Sequence, residues 1–389
     1  MTWQTVPLGD LAVSRGGSVN PAKFPDETFE LLSIPAYDDG EAEVCLGASI
    51  GSSKKCVEEN DILLSRIVPH IRRSWVVGPS RGYRQIASGE WIQFRSPDVY
   101  PKYLRHFLTS DPFHNQFMRT VSGVGGSLLR ARPTEVYKIA VPLPPLEEQK
   151  RIAEILDAAD ALRAKRRESL AQLDALLQST FLDLFGDPVT NPKGWPVVET
   201  RDVFKLAPRI GTTTPALGKG CIVVRVGEVG SDRIDFERCG RVELSDKDKE
   251  KFRLEPGDTV LARAIGSRNH LGKCSYFDGY EEDVYIDSHV MRLRPNQEIC
   301  NPIWFYSLMR SAQGKRLIQK AGGQTAVQFN INAKQASSIK LPLPEKSLQD
   351  RYEKIYLEIR KFWSTDSLHA EELEILFQAL QQRAFSGEL

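Results

Sequence analysis

The chain has 389 residues, 41% of them hydrophobic and 26% charged, and a formal net charge of +1. This composition excludes a disordered or fibrous chain, and the near-neutral balance excludes a uniformly basic nucleic-acid binder without saying how the charge is distributed. At ~100–200 residues per domain, the length accommodates two or three domains.

Met1-Thr2-Trp3-Gln4 has neither the basic nor the apolar region of a signal peptide. No apolar run approaches the ~18 residues of a membrane span. The six cysteines (Cys45, Cys56, Cys221, Cys239, Cys274, Cys300) lie far apart, which predicts reduced thiols in a cytoplasmic protein rather than a disulfide framework or a zinc site. Residues 1–145 are short β-type segments such as Asp61-Ile-Leu-Leu-Ser and Trp91-Ile-Gln-Phe, with a helical stretch beginning at Tyr103. The prolines at 142, 144 and 145 end that region. Beyond them, Ile152, Ile155, Ala159, Leu162, Leu170, Leu173, Leu177, Phe181 and Leu184 recur at helical spacing, with no Gly or Pro before Gly186. A second β-rich stretch follows over 187–341, with Cys221-Ile-Val-Val-Arg-Val, Thr259-Val-Leu-Ala and a helical Trp304–Met309. After Pro342-Leu-Pro344 the helical period returns in Tyr352, Ile355, Ile359, Phe362, Leu373, Leu376, Leu380 and Phe385, and Gly387 stands where a C-terminal cap belongs.

The second half repeats the first. Asp61-Ile-Leu-Leu-Ser-Arg66 matches Asp258-Thr-Val-Leu-Ala-Arg263, Pro101-Lys-Tyr-Leu104 matches Pro302-Ile-Trp-Phe305, and Ile139-Ala-Val-Pro-Leu-Pro144 matches Ile339-Lys-Leu-Pro-Leu-Pro344. Gln149 and Arg151 continue onto Gln349 and Arg351. An ordered series of matches at nearly constant shift marks a tandem repeat. The expected division is 1–145 and 187–341 as globules, with 146–186 and 342–389 as helices. A helix of ~40 residues is about 60 Å long and cannot bury its own apolar stripe. Its economical partner is the helix of the other copy, running antiparallel because a compact globule returns the chain near its entrance. The expected fold is mixed α/β (α+β): two globules separated by two long antiparallel helices, a dumbbell with pseudo-two-fold symmetry.

Charge divides along the same boundaries. The globules carry +1 and +5, the helices −2 and −3. From Asp61 to Glu90 there is no acid, but Arg66, His70, Arg72, Arg73, Arg81 and Arg84 are present. The counterpart from Asp258 to Asp278 holds Arg263, Arg268, Asn269, His270 and Lys273. A second acid-free window, Asp111 to Glu135, carries Arg119, Arg130 and Arg132. Its counterpart, Glu298 to Glu345, carries Lys315, Arg316, Lys320 and Lys334, together with Gln324, Gln328 and Asn330, which can address base edges. Recurrence at equivalent places predicts a polyanion-facing surface on each globule, since Lys and Arg near phosphates gain affinity through counterion release. For any single residue the plain alternative is a solvated surface charge.

The residues Val141-Pro-Leu-Pro-Pro-Leu-Glu-Glu-Gln149-Lys-Arg-Ile152, the long helix and Phe185-Gly-Asp-Pro188 closely resemble the conserved region of Type I restriction-modification specificity subunits. The resemblance covers essentially the whole chain. The second copy, Leu341-Pro-Leu-Pro-Glu-Lys-Ser-Leu-Gln349-Asp-Arg351, is degenerate, with Glu345 at the place of Pro145 and Leu348 at that of Glu148. The resemblance implies a double-stranded DNA target in two specific parts separated by a nonspecific spacer. It also implies helices that set the spacing and dock two methylation subunits, joined by restriction subunits. Glu147, Gln149, Arg151, Gln349, Arg351 and Trp363 are the partner-contact candidates this implies, with packing between the helices as the alternative for Trp363. Catalysis would reside in the partners, with no cofactor, metal or membrane for this chain.

The residues agree in offering no catalytic constellation. There is no Gly-x-x-x-x-Gly-Lys-Ser/Thr loop, and Gly123-Val-Gly-Gly126 lacks the context of a dinucleotide fingerprint. His70, His270 and His289 stand apart from metal-type spacing. Trp3, Trp75, Trp91, Trp195 and Trp304 are expected in the core. Two other function classes remain open at this stage. One is a protein-binding scaffold or neutralising protein, whose surface duplex DNA would not compete for. The other is a nuclease or methyltransferase with an unrecognised site.

Overall fold

The computed structural model describes residues 3–14, 16–123, 129–230, 233–265, 272–321, 323–324 and 329–389, the side chains of 264, 265, 323, 324 and 329 excepted. The chain forms two compact units, Met1–Glu168 with Ser367–Leu389, and Ser169–Asp366. Each holds one globule and parts of both long helices.

In the first unit Thr5–Pro7 pairs antiparallel with Ala140–Pro142, so the entrance and exit of the globule lie side by side. The same closure joins Val197–Glu199 to Lys340–Pro342 in the second unit. The segment that opens at Asp61 is the central strand, Ile62–Ser65, of a three-stranded sheet between Ser74–Val76 and Trp91–Phe94. Its counterpart Asp258–Ala262 lies between Cys274–Phe277 and Val290–Pro295. A further sheet in each unit contains a parallel pair, Thr28–Leu32 with Arg84–Ala87 and Cys221–Val224 with Val284–Ile286.

The aspartate at the head of each repeat is structural. Asp61 is fully buried, receives the Glu58 amide at 2.7 Å and is clasped by Arg95 at 2.5 and 2.8 Å. Asp258 receives the Glu255 amide at 2.7 Å and Arg294 through two bonds of 2.7 Å. Each carboxylate thus ties a turn to the far end of the neighbouring strand.

The expected short helices occur at Pro101–Thr109 and Pro302–Arg310, both with proline in the first turn, where its missing amide costs nothing. Trp91 and Trp304 are core residues, and Trp3, Trp75 and Trp195 are half-buried. The long helices span Leu146–Phe185 and Lys346–Ser386, each followed by a glycine at positive φ, Gly186 at 76° and Gly387 at 81°.

Within each unit the long helices run antiparallel. In the first, Arg163 donates to both Glu374 oxygens, and Arg151 reaches the Leu389 carbonyl. In the second, Ser169 pairs with Asp366, and Phe181 packs edge-on against Tyr352. The last aromatic of each helix is an anchor. Phe385 sits 5.6 and 5.3 Å from the rings of Tyr103 and Phe107, and Phe185 lies 6.2 and 5.5 Å from Trp304 and Tyr352. Among the described residues, no helix is long and apolar enough to cross a membrane.

Candidate nucleic-acid interface

The two acid-free windows of the first globule are far apart in sequence but adjacent in the fold. The chain leaves the strand Ile62–Ser65 into a loop whose base is closed by the Ser65 amide on the Arg73 carbonyl. Against this loop lies the hairpin Val121–Ser122 with Arg130–Ala131. The Ala131 amide donates to the Arg66 carbonyl at 2.8 Å, the Val68 amide to Leu129 at 3.2 Å, and Ile67 bridges to Arg130. Val68 holds φ at +46°, a strained setting for a β-branched residue, maintained by that cross-loop bond.

The second unit repeats the arrangement. The Ala262 amide donates to Lys273, the Ile331 amide to Arg263, and Ala264–Ile265 pairs with Phe329–Asn330 of a hairpin whose other strand is Gly323–Gln324. In both units a loop and a hairpin drawn from the two basic windows make one edge.

Several windows that lack acid in sequence acquire it in three dimensions. Arg66 pairs with Glu90 at 2.8 Å, and Arg130 reaches the other oxygen of the same carboxylate at 3.4 Å. Arg72 pairs with Asp111 at 2.5 Å and donates to the Thr109 carbonyl. One first-window expectation needs correcting, and two further arginines lie with another element of the globule. Arg73 is buried and bidentate to Asp38, both bonds 2.7 Å, so its guanidinium is committed inside the fold. Arg81 is held by Glu30, Glu41 and the Ala42 carbonyl, which lie with the five-stranded sheet rather than at the loop edge. Arg84, on a strand of that sheet, is 4.0 Å from Glu27. Among the described residues, exposed cations of these windows include Arg72, Arg119, Arg130 and Arg132 in one unit, and Arg316, Lys320 and Lys334 in the other. Lys273 closes the second loop, and His70 is exposed within the first. Arg268, Asn269, His270 and Gln328 lie outside the described residues, as does the Gln324 side chain.

The partner-contact expectations divide as well. Gln149 and Gln349 are buried, and each is a joint rather than a surface contact. The Gln149 Oε1 accepts the Tyr100 amide, while its Nε2 donates to the Asp98 and Pro144 carbonyls. Gln349 does the same with the Asn301 amide and the Pro344 and Ile299 carbonyls. Each glutamine fastens the start of a long helix to the first turn of a globule helix. Glu147 and Arg351 are exposed, and Arg151 pairs with Glu148. Trp363 lines a small cavity with Leu170, Ala171 and Leu177 of the first long helix, and the Arg360 guanidinium lies 4.4 Å from its ring centre. This placement between the helices is compatible with the packing alternative.

Sequence reasoning missed Glu90, Asp38 and Asp111 as partners of the window arginines, and all three stand at or beyond the limits of the acid-free windows. The available signal was Glu90 itself, the acid that ends the first window. Among the described residues, no group of three or more His, Cys, Asp or Glu could hold a metal ion.

The sequence matches the Type I restriction modification DNA specificity domain family twice, over residues 1–173 and 192–374. A protein of Methanocaldococcus jannaschii assigned as the type I restriction enzyme MjaX specificity subunit is 26% identical over 197 residues, covering 50% of this chain and 46% of that one. The EcoKI specificity subunit of Escherichia coli is 21% identical, covering 75% and 66%. The MjaVIII specificity subunit of Methanocaldococcus jannaschii is 25% identical, covering 91% and 86%. The chain thus spans between about half and two thirds of the first two of these relatives. The fold is similar to a chain solved in work on assembly and conformational transition of the type I R-M system, with a TM-score of 0.57 at 21% identity over 100% of this chain and 98% of that one. It is also similar to the type I S subunit from M. genitalium, with a TM-score of 0.56 at 14% identity over 98% and 96%.

Proposed function

The chain belongs to the Type I restriction modification DNA specificity domain family, and from that membership we propose that it supplies the sequence specificity of a Type I restriction-modification complex. Residues 1–145 and 187–341 each address one part of a bipartite, asymmetric double-stranded target, and the helices at 146–186 and 342–389 set the spacing. The helices dock two methylation subunits, restriction subunits join that core, and the complex works in the cytoplasm. This chain contributes recognition and no catalytic group.

The observation that supports this most is the recurrence, in both units, of one edge built from a loop and a hairpin of the acid-free windows. Such an edge offers backbone-fixed cations for phosphates and projecting side chains for bases, the division of labour that DNA recognition needs. Exposed apolar residues on the long helices, among them Leu162, Leu176, Phe362 and Ile375, support docking of partner subunits there.

The test is co-purification of the full chain with the methylation subunit from its genome neighbourhood, followed by mapping of adenine methylation over a random plasmid library. A split motif with a fixed spacer is the expected result. Failure to associate, or a stable complex that methylates nothing, would overturn the assignment, the latter in favour of a protein-binding scaffold.

A further inference from the structure

Because the two units share a backbone at the loop–hairpin edge, their side chains can be compared place by place. The Arg66 amide donates to the Glu90 carbonyl at 3.0 Å, and the Arg263 amide donates to the His289 carbonyl at 3.0 Å. Arg66 accepts from Ala131 and Arg263 from Ile331. Ile67 bridges to Arg130, and Ala264 pairs with Asn330. Glu90 and His289 each end a turn immediately before a strand, Trp91–Phe94 and Val290–Pro295. Four independent hydrogen bonds and two bridges therefore superpose Arg66 on Arg263, Glu90 on His289 and Arg130 on Asn330. One position carries the same residue and two differ.

We propose that this three-residue set is a specificity-determining element of each globule: Arg66, Glu90 and Arg130 in the first, Arg263, His289 and Asn330 in the second. The inference rests on the DNA-recognition reading above and assigns its base-addressing side chains.

The chemistry of the two sets differs in a directed way. In the first, Glu90 bonds Arg66 at 2.8 Å and Arg130 at 3.4 Å, holding two guanidinium groups together at the lip of the edge. Guanidinium forks match the O6 and N7 acceptors of guanine, and a carboxylate can accept from the cytosine amino group. The first set therefore suits a G·C pair. In the second, no carboxylate takes Glu90's place. Arg263 is anchored through Nε on the Ser288 carbonyl at 2.9 Å, and one Asp287 oxygen accepts the His289 backbone amide at 2.7 Å and lies 3.1 Å from the ring Nδ1. Asn330 carries the amide that pairs with adenine N6 and N7. The second set suits a target that includes an A·T pair. The shared arginine keeps a common approach, and the two exchanged positions make the half-sites differ.

The decisive experiment grafts one set onto the other unit in the full chain. Glu90→His with Arg130→Asn is compared with the wild type by selecting bound duplexes from a random library, the chain being co-purified with its methylation subunits. The half-site of the unaltered globule serves as internal reference. The expected result is a changed base preference in one half-site only, with the original base losing roughly 5- to 150-fold there. The reciprocal graft, His289→Glu with Asn330→Arg, is expected to alter the other half-site instead. Retention of both original half-sites at unchanged affinity, or an equal change in both, would overturn the proposal. A wild-type complex that selects no sequence would instead overturn the DNA-recognition reading itself, and this inference would fall with it.

Discussion

Gln349→Glu is the sharpest test of the joint between globule and helix, because it preserves shape while reversing hydrogen-bond polarity. The native amide is fully buried, accepts the Asn301 amide at 2.8 Å, and donates to the carbonyls of Pro344 at 2.8 Å and Ile299 at 3.4 Å. The carboxylate keeps the first bond and loses both donors, so an anion faces two carbonyl oxygens. The 3.4 Å bond contributes little, and the loss of the 2.8 Å bond leaves a buried acceptor unpaired. With the added charge, the cost is about 2–4 kcal/mol at neutral pH. Native-state hydrogen exchange over the helix Pro302–Arg310 should then accelerate roughly 30- to 700-fold, since each 1.4 kcal/mol is about tenfold. The equivalent helix Pro101–Thr109, fastened by Gln149, should be unchanged. Burial raises the introduced carboxyl's folded pKa above its unfolded value, so the deficit relative to wild type shrinks as the pH falls through the folded pKa and the protonated acid regains a donor. Acceleration below threefold at neutral pH would refute the joint and return Gln349 to the partner-contact candidates.

The buried pair at the head of the second repeat gives a second expectation. Asp258→Leu should cost about 3–5 kcal/mol by stranding Arg294, less the relief from Glu255 at 2.6 Å, and Arg294→Met added to it should recover most of the loss in urea unfolding. His106 contributes acid sensitivity, because burial lowers its pKa against the opposing bond to Asp157 at 2.7 Å, with Lys102, Arg105 and Asp160 also charged nearby and the Phe377 ring beside it. A depressed folded pKa means stability that is full above the unfolded value of ~6.5 and lost as the pH falls below it. His106→Gln should therefore flatten the decline in urea midpoint between pH 7 and 5. For DNA, Lys334→Ala and Lys320→Ala should each reduce the slope of log affinity against log salt by ~0.9 wherever they neutralise a phosphate, and leave base preference unchanged.

The sequence disclosed the repeat, both long helices and their terminal glycines, because periodicity and proline punctuation are local signals. The closure of each globule by Thr5–Pro7 and Val197–Glu199 was implicit in the repeat, although no local pattern names the partner strand. The acid-free windows coincide with the loops and hairpins that form one edge in each unit, but they did not disclose the partners of their side chains. Acid-free is a property of a line, whereas neutralisation takes place across the fold. Asp38 precedes Arg73 by 35 residues, and Glu90 serves Arg66 and Arg130 from between the two windows. Gln149 and Gln349 fell to the same limit, since a glutamine in a charged helix start has the composition of a surface and only packing reveals three buried bonds.

Comparing the two units separates what the fold requires from what it leaves free. Positions that repeat are buried and bonded: Asp61 with Arg95 and Asp258 with Arg294, Gln149 and Gln349, Phe185 and Phe385 against the globule aromatics. Removing any of them leaves a buried charge, an unpaired carbonyl or a cavity, each costing on the order of a few kcal/mol in a molecule of marginal stability. Positions that differ between the units, Glu90 against His289 and Arg130 against Asn330, stand at an edge whose two strands are joined by backbone bonds common to both units. Because those bonds ask nothing of the side chain, the edge can change its chemistry without disturbing what lies beneath. That arrangement suits a protein whose two halves must hold one architecture while addressing two different short sequences.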